Sequence, residues 1–171
     1  MSNTLHIEMS DPVWDDISSM IRNTYKNSCI VWIQSVNNKT LEYLFLNNKN
    51  SLQSPNIKRL FHGTSEHISN IIINNGFEPS LNKVSAYGKG VYFSTRALYS
   101  KNYCKAQKND IAFMLICDVI TGNVGQGKPN TNIPSQYDSV TDNINKPDMY
   151  IVNKKSAALP LYIVAFYPWT N

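Results

Sequence analysis

Two short stretches decide how this chain is read: Leu60-Phe61-His62-Gly63-Thr64, and then Tyr87-Gly88-Lys89-Gly90-Val91-Tyr92-Phe93. Residues 58–62 read as a short strand that ends at Gly63. Ser65 is a good N-cap residue, and Ile68, Ile71 and Ile72 behind it predict the buried stripe of a helix that Gly76 stops. A polar loop over 78–86 follows, and Gly88-Lys89-Gly90 leads into the short strand Val91-Tyr92-Phe93. A histidine after a strand is by itself usually a packing or surface residue, and a tyrosine between Val91 and Phe93 is usually a strand aromatic. Their chemistry depends on what surrounds them.

On the N-terminal side, Asp11-Pro12 followed by Trp14, Ile17, Met20, Ile21 and Tyr25 has helical spacing, with Asp11 as cap and Pro12 in the first turn. Residues 29–36 and 41–46 are apolar and separated by Asn37-Asn38-Lys39-Thr40, which predicts a β-hairpin. Residues 47–56 read as a polar loop. On the C-terminal side, 95–106 reads as a helix, while 111–119, 149–152 and 161–166 read as strands. One helix followed mainly by strands, with short helices inserted, predicts an α+β domain with an antiparallel core rather than a doubly wound parallel sheet. We expect one domain over 1–171, with an N-terminal helix over 12–26 and a core over 28–168.

Composition narrows the function. Of the 171 residues, 42% are hydrophobic and 16% charged, a globular balance. No apolar run is long enough for a bilayer span, and the first ten residues lack the basic-then-apolar pattern of an export signal. Cys29, Cys104 and Cys117 are an odd, scattered set without a CxxC or Cys/His cluster for zinc. They read as reduced, mostly buried thiols of a cytoplasmic or nuclear protein, and no metal site is expected. The net charge of +4 is spread over single residues, with Lys58-Arg59 and Lys154-Lys155 as the longest basic runs. That suits a small anionic ligand better than a nucleic acid, which favours a basic stripe.

Gly122-Asn123-Val124-Gly125-Gln126-Gly127-Lys128 imitates the first seven positions of a phosphate-binding P-loop. Pro129 stands where a Ser or Thr must reach the metal ion, and no helical pattern follows. The segment reads as a glycine-rich surface turn.

The first two stretches, together with Tyr137-Asp138-Ser139-Val140 ahead of the strand at Met149, resemble the catalytic domain of the poly(ADP-ribose) polymerase family, in its mono-ADP-ribosylating branch. The likeness runs from about Pro12 to Phe166 and includes the strand over 111–119 and the closing Ala158-Leu159-Pro160-Leu161. It implies the ADP-ribosyltransferase fold, a mostly antiparallel split sheet, with NAD⁺ as co-substrate. It also implies transfer of one ADP-ribose to a protein acceptor, which can be the chain itself. By resemblance, His62 bonds a ribose hydroxyl of the adenosine half. Gly63 offers its main chain to the nicotinamide amide, with Thr64 beside it. Tyr92 and Tyr103 stack on the nicotinamide ring, and Ser100 donates to the amide oxygen. Cleavage of the nicotinamide–ribose bond passes through an oxocarbenium-like state, so rigid positioning at both ends of that bond is what such residues supply.

Polymer-forming members carry a glutamate at the start of the strand that Met149 opens here. Counting back from Ala157-Ala158-Leu159-Pro160 aligns Met149 with that position, and a thioether cannot act as a base. The resemblance therefore implies single-unit transfer. A one-residue shift would present Asp148 instead, because side chains alternate along a strand. Two other functions compete: a catalytically silent module that binds NAD⁺ or ADP-ribose, and ADP-ribosylation of nucleic-acid ends.

Overall fold

A computed structural model describes residues 3–82, 85–106 and 110–168. The chain folds as an α+β domain around a nine-stranded, mostly antiparallel sheet. In chain order the strands are β1 (Thr4–Ile7), β2 (Cys29–Val36), β3 (Ile57–Thr64), β4 (Val91–Ser94), β5 (Ala112–Ile120), β6 (Val124–Gln126), β7 (Ser139–Thr141), β8 (Met149–Val152) and β9 (Ala158–Tyr167). Across the sheet they run β1-β2-β9-β5-β3-β4-β8-β7-β6, and the β6–β7 pair is parallel. The helices are α1 (Pro12–Arg22), α2 (Lys39–Asn50), α3 (Glu66–Asn75) and α4 (Ala97–Lys101).

β5 carries the centre. Eight of its residues face β3 and eight face β9, and Leu115, Ile116, Cys117 and Val119 are fully buried. A strand covered on both faces must be apolar on both, which is why it reads as an unbroken hydrophobic run. β9 holds Pro160 in its interior, where a missing N–H would ordinarily break a ladder. The register slips at that point, so Ile116 faces Tyr162 while Cys117 faces Pro160.

The sheet is divided where β3 meets β4. β3 pairs with β5 over its whole length, but its register with β4 consists of Phe61 opposite Ser94. Past Phe61 the two strands part, and no β4 residue stands opposite His62, Gly63 or Thr64. This is the split that the fold expectation called for, and the site opens into it.

Several expectations change, and the first also takes 47–50 of the expected loop into α2. Residues 41–46 belong to α2, not to a hairpin strand, and β2 pairs with β1 and β9 instead. The Asn38 side chain caps α2 by accepting from the Leu41 N–H, and Lys39 pairs with Glu42 one turn on. Only Leu41 and Phe45 of that segment are buried, four residues apart, while Tyr43 and Leu46 face out. The same Asn38 donates its amide to the Ile73 and Asn74 carbonyls, closing the end of α3. Secondly, the helix expected over 95–106 is the single turn Ala97–Lys101, and the N-terminal helix stops at Arg22 rather than 26. Thirdly, the buried stripe of α3 is Ser69, Ile72 and Ile73; Ile68 and Ile71 are 42% and 40% exposed. β1 had no counterpart in the reading, since only Ile7 of its four residues is buried.

Cys104 and Cys117 are buried, and Cys29 is exposed; all three are free. No described helix is long and apolar enough to cross a membrane. The P-loop lookalike is built from packing instead. Gly122 has φ +52° and lies against Asp138, whose carboxylate accepts from the Asn123 N–H at 2.9 Å. Gly125 lies against the Tyr137 ring, and Val124–Gln126 is strand β6.

Candidate active site

The split between β3 and β4 opens into a cavity of about 450 Å³, within the size range of small-ligand sites. His62, Gly63 and Thr64 reach it from β3, Tyr92 from β4, Ser100 and Tyr103 from α4 and the turn after it, and Met149 from β8. All seven expected site residues therefore line one space. The loop expected over 78–86 contributes Glu78, Leu81, Asn82 and Ala86. Residues 83 and 84 of that loop lie outside the described residues.

His62 is the most tightly specified group. Its Nδ1 lies 2.8 Å from the Tyr92 carbonyl oxygen, which can only accept, so Nδ1 carries the proton and Nε2 is left as an acceptor. The ring is wedged edge-on to Phe77, at 5.2 Å and 82°, and beside Phe93 at 5.5 Å. Burial lowers its pKa below the usual histidine value, against the smaller opposing effect of the bond to Tyr92. His62 is therefore neutral at physiological pH. The consequence for stability has a definite sign. Below about pH 6.5 the unfolded chain takes up a proton that folded His62 resists, so stability is lost as pH falls from there through the lowered folded value. Thermal melts from neutral to mildly acidic pH should show this loss in the wild type and a shallower one in His62→Gln.

Tyr92 is immobilised at its hydroxyl, which accepts from the Tyr87 N–H at 2.9 Å and donates to the Gly88 carbonyl at 2.7 Å. Those two bonds explain why the Gly88 turn directly precedes this strand. The ring packs beside Ile133, Val140 and Ile151. Ser100 is buried, and its hydroxyl donates to the Phe61 carbonyl at 3.1 Å, so it fastens α4 to β3.

Packing also requires glycine at position 63. A Cβ built there would stand 1.8 Å from the Ser100 carbonyl oxygen and 3.0 Å from Cys104 Sγ. The missing side chain makes room for the turn carrying Ser100 and Tyr103, and so brings that turn onto the strand that carries His62. Cys104 completes the contact: its thiol donates to the Phe113 carbonyl, and burial pushes its pKa up to about 12, so it is inert.

Met149 is 5% exposed and lines the cavity, whereas the Asp148 carboxylate turns outward to Arg96 at 2.8 Å. The register comes from Asp142, which no sequence pattern singled out. Its Oδ1 accepts from the N–H groups of both Asp148 and Met149, at 3.1 and 3.0 Å, and the Thr141 hydroxyl donates to the Met149 carbonyl at 2.7 Å. Together they set which residue of β8 begins the strand. Tyr99, Tyr87, Phe77, Ile68 and Ile71 also line the cavity without having been expected there. A signal existed for Tyr99, which stands one helical turn from Tyr103.

Residues 12–160 match the family described as the poly(ADP-ribose) polymerase catalytic domain. The chain belongs to this family. Its domain is 29% identical to the human protein mono-ADP-ribosyltransferase PARP14 over 92% of this chain, corresponding to 10% of that protein. It is 29% identical to a probable poly [ADP-ribose] polymerase of Dictyostelium discoideum over 88% of this chain and 48% of that protein. It is 30% identical to the mouse protein mono-ADP-ribosyltransferase PARP10 over 66% of this chain and 13% of that protein. The chain thus spans less than half the length of these relatives.

Among described lining residues of this polymerase-family domain, Lys105 is the one cation and Glu78 the one anion. The rest is aromatic, aliphatic or neutral polar. Such a wall suits a planar ring at one end and hydroxyl groups at the other.

Proposed function

We propose that this domain transfers a single ADP-ribose unit from NAD⁺ to a protein acceptor, releasing nicotinamide. The observation that carries the proposal is one cavity holding His62 with its Nε2 available, the fixed ring of Tyr92, and an apolar Met149 in place of a carboxylate. The named mono-ADP-ribosyltransferases among its relatives support the same reading.

The groups present fit NAD⁺. Nε2 of His62 accepts from a ribose hydroxyl of the adenosine half. Gly63, which has no β4 residue opposite it, offers main-chain donor and acceptor to the nicotinamide amide, between the rings of Tyr92 and Tyr103. Lys105, the cation among the described lining residues, suits the anionic diphosphate. NAD⁺ supplies the labile bond, between nicotinamide nitrogen and ribose carbon, which breaks as the carbon bonds to the acceptor. The protein's part is to hold both ends of that bond and to keep water out. Because Met149 can neither accept a strong hydrogen bond nor take a proton, the carboxylate that would activate a ribose hydroxyl for a second unit is missing. A protein side chain that brings its own nucleophile still reacts. A nucleic-acid acceptor is disfavoured by dispersed basic charge, and the free thiols suit the cytoplasm or nucleus.

Incubation with labelled NAD⁺ tests the reading. The expected product is a protein carrying single ADP-ribose units, seen by intact mass as discrete additions. Ladders of repeated units would contradict the role given to Met149. Measurable NAD⁺ binding with no label on the domain or on any lysate protein would leave a binding module and sink the transferase.

A further inference from the structure

The two aromatic walls of the cavity are held in unequal ways. Tyr92 lies within paired strand and has its hydroxyl bonded on both sides by main chain. Tyr103 lies just past the end of α4 and is 48% exposed. Among the described residues its hydroxyl has one partner, the hydroxyl of Tyr99 at 2.9 Å. The two rings stand 5.5 Å apart with a 43° tilt, four residues apart across the end of α4. α4 itself is five residues long and depends on external fastenings: Ala97 N–H to Thr24 Oγ1, and the Ser100 hydroxyl to the Phe61 carbonyl. Tyr99 is inside the fastened turn, between those two anchors, and Tyr103 is outside it. Burial first, and then the bond to Tyr103, push the Tyr99 phenol above the ordinary tyrosine range, so its proton is retained at physiological pH.

We propose that Tyr99 is a positioning residue whose hydroxyl latches Tyr103 and fixes the angle of the second aromatic wall. This rests on reading that wall as the nicotinamide end of an NAD⁺ site. A half-exposed ring without its latch samples other rotamers, and a ligand that needs the ring must reorder it on binding. A ligand without the nicotinamide ring has no such cost. The latch therefore acts selectively on nicotinamide and NAD⁺, and not on ADP-ribose.

The test uses Tyr99→Phe, Tyr103→Phe and the double variant, all of which keep both rings. Either single change should raise the KM for NAD⁺ and the inhibition constant for nicotinamide about three- to tenfold, the range of one neutral hydrogen bond. The double variant should cost no more than either single, because both remove the same bond. In Tyr99→Phe, which leaves the Tyr103 side chain intact, the affinity for ADP-ribose, kcat and the thermal midpoint should remain near wild type. Unchanged nicotinamide affinity in Tyr99→Phe, or losses that multiply in the double variant, would overturn the latch. Failure of the site reading looks different: wild type itself would not bind NAD⁺, or His62→Ala would bind it equally well. The latch falls with the site in that case.

Discussion

His62→Ala is expected to lower kcat/KM for ADP-ribose transfer by about two orders of magnitude. The change removes the Nε2 acceptor, a loss of roughly 0.5–1.5 kcal/mol for a neutral hydrogen bond. It also strips the Tyr92 carbonyl of its Nδ1–H donor, leaving a part-buried acceptor unsatisfied at about 1–3 kcal/mol. Phe77 and Phe93 lose the ring they both lean on, so the strand carrying Tyr92 relaxes toward the gap. A shift of about 1 Å in a positioned group can cost about a hundredfold in rate. The loss should therefore appear in kcat as well as in KM. His62→Gln restores an amide that can donate to the Tyr92 carbonyl and accept a hydroxyl, and should recover part of the rate. Retention of more than about a tenth of wild-type kcat/KM by the alanine variant would remove His62 from the site.

Gly63→Ala tests the architecture rather than the ligand. The new methyl would collide with main chain, 1.8 Å from the Ser100 carbonyl oxygen and 2.8 Å from its carbon, so no side-chain rotation relieves it. α4 must lift from β3, breaking the Ser100–Phe61 bond and loosening the Cys104–Phe113 contact. Overpacking of a tight contact costs about 1–3 kcal/mol, occasionally more. The backbone clash places this variant near the upper end, a fall in thermal midpoint of about 6–12 °C for a chain of this size. Transfer should fall further than the folded fraction does, since Ser100, Tyr99 and Tyr103 all move with the helix. A thermal midpoint within about 2 °C of wild type would contradict this packing.

Local patterns made the strands on either side of the split legible. β5 is an unbroken apolar run, β3 ends in His62-Gly63-Thr64, and β4 follows its glycines, each specified by a few adjacent residues. Residues 41–46 were misread because Leu41, Tyr43, Leu44, Phe45 and Leu46 form an apolar cluster that suits either period. Only the Asn38 cap and the exposure of Tyr43 and Leu46 decide for helix, and both depend on tertiary placement. Ile68 and Ile71 carried a correct helical period but the wrong face, because α3 turns one apolar side to the sheet and another to the cavity. The sequence does not decide the Met149 register between neighbours, since its determinant is a side chain seven positions away that gathers two main-chain N–H groups. The packing demand on Gly63 is not legible in the sequence, because the neighbour that imposes it, the Ser100 carbonyl, lies 37 positions away.

The strand order also separates mechanical load from chemistry. β1 and β9, which hold the first and last strand residues, lie on the β1-β2-β9 side, with β5 between them and the strand carrying His62. A tag, a surface tether or a neighbouring module attached at either end pulls on that side of the sheet. The load passes into β2 and β5, whose long ladders resist shear, and not across the Phe61–Ser94 pair where the sheet is weakest. Immobilisation through either terminus should therefore leave the cavity free to work.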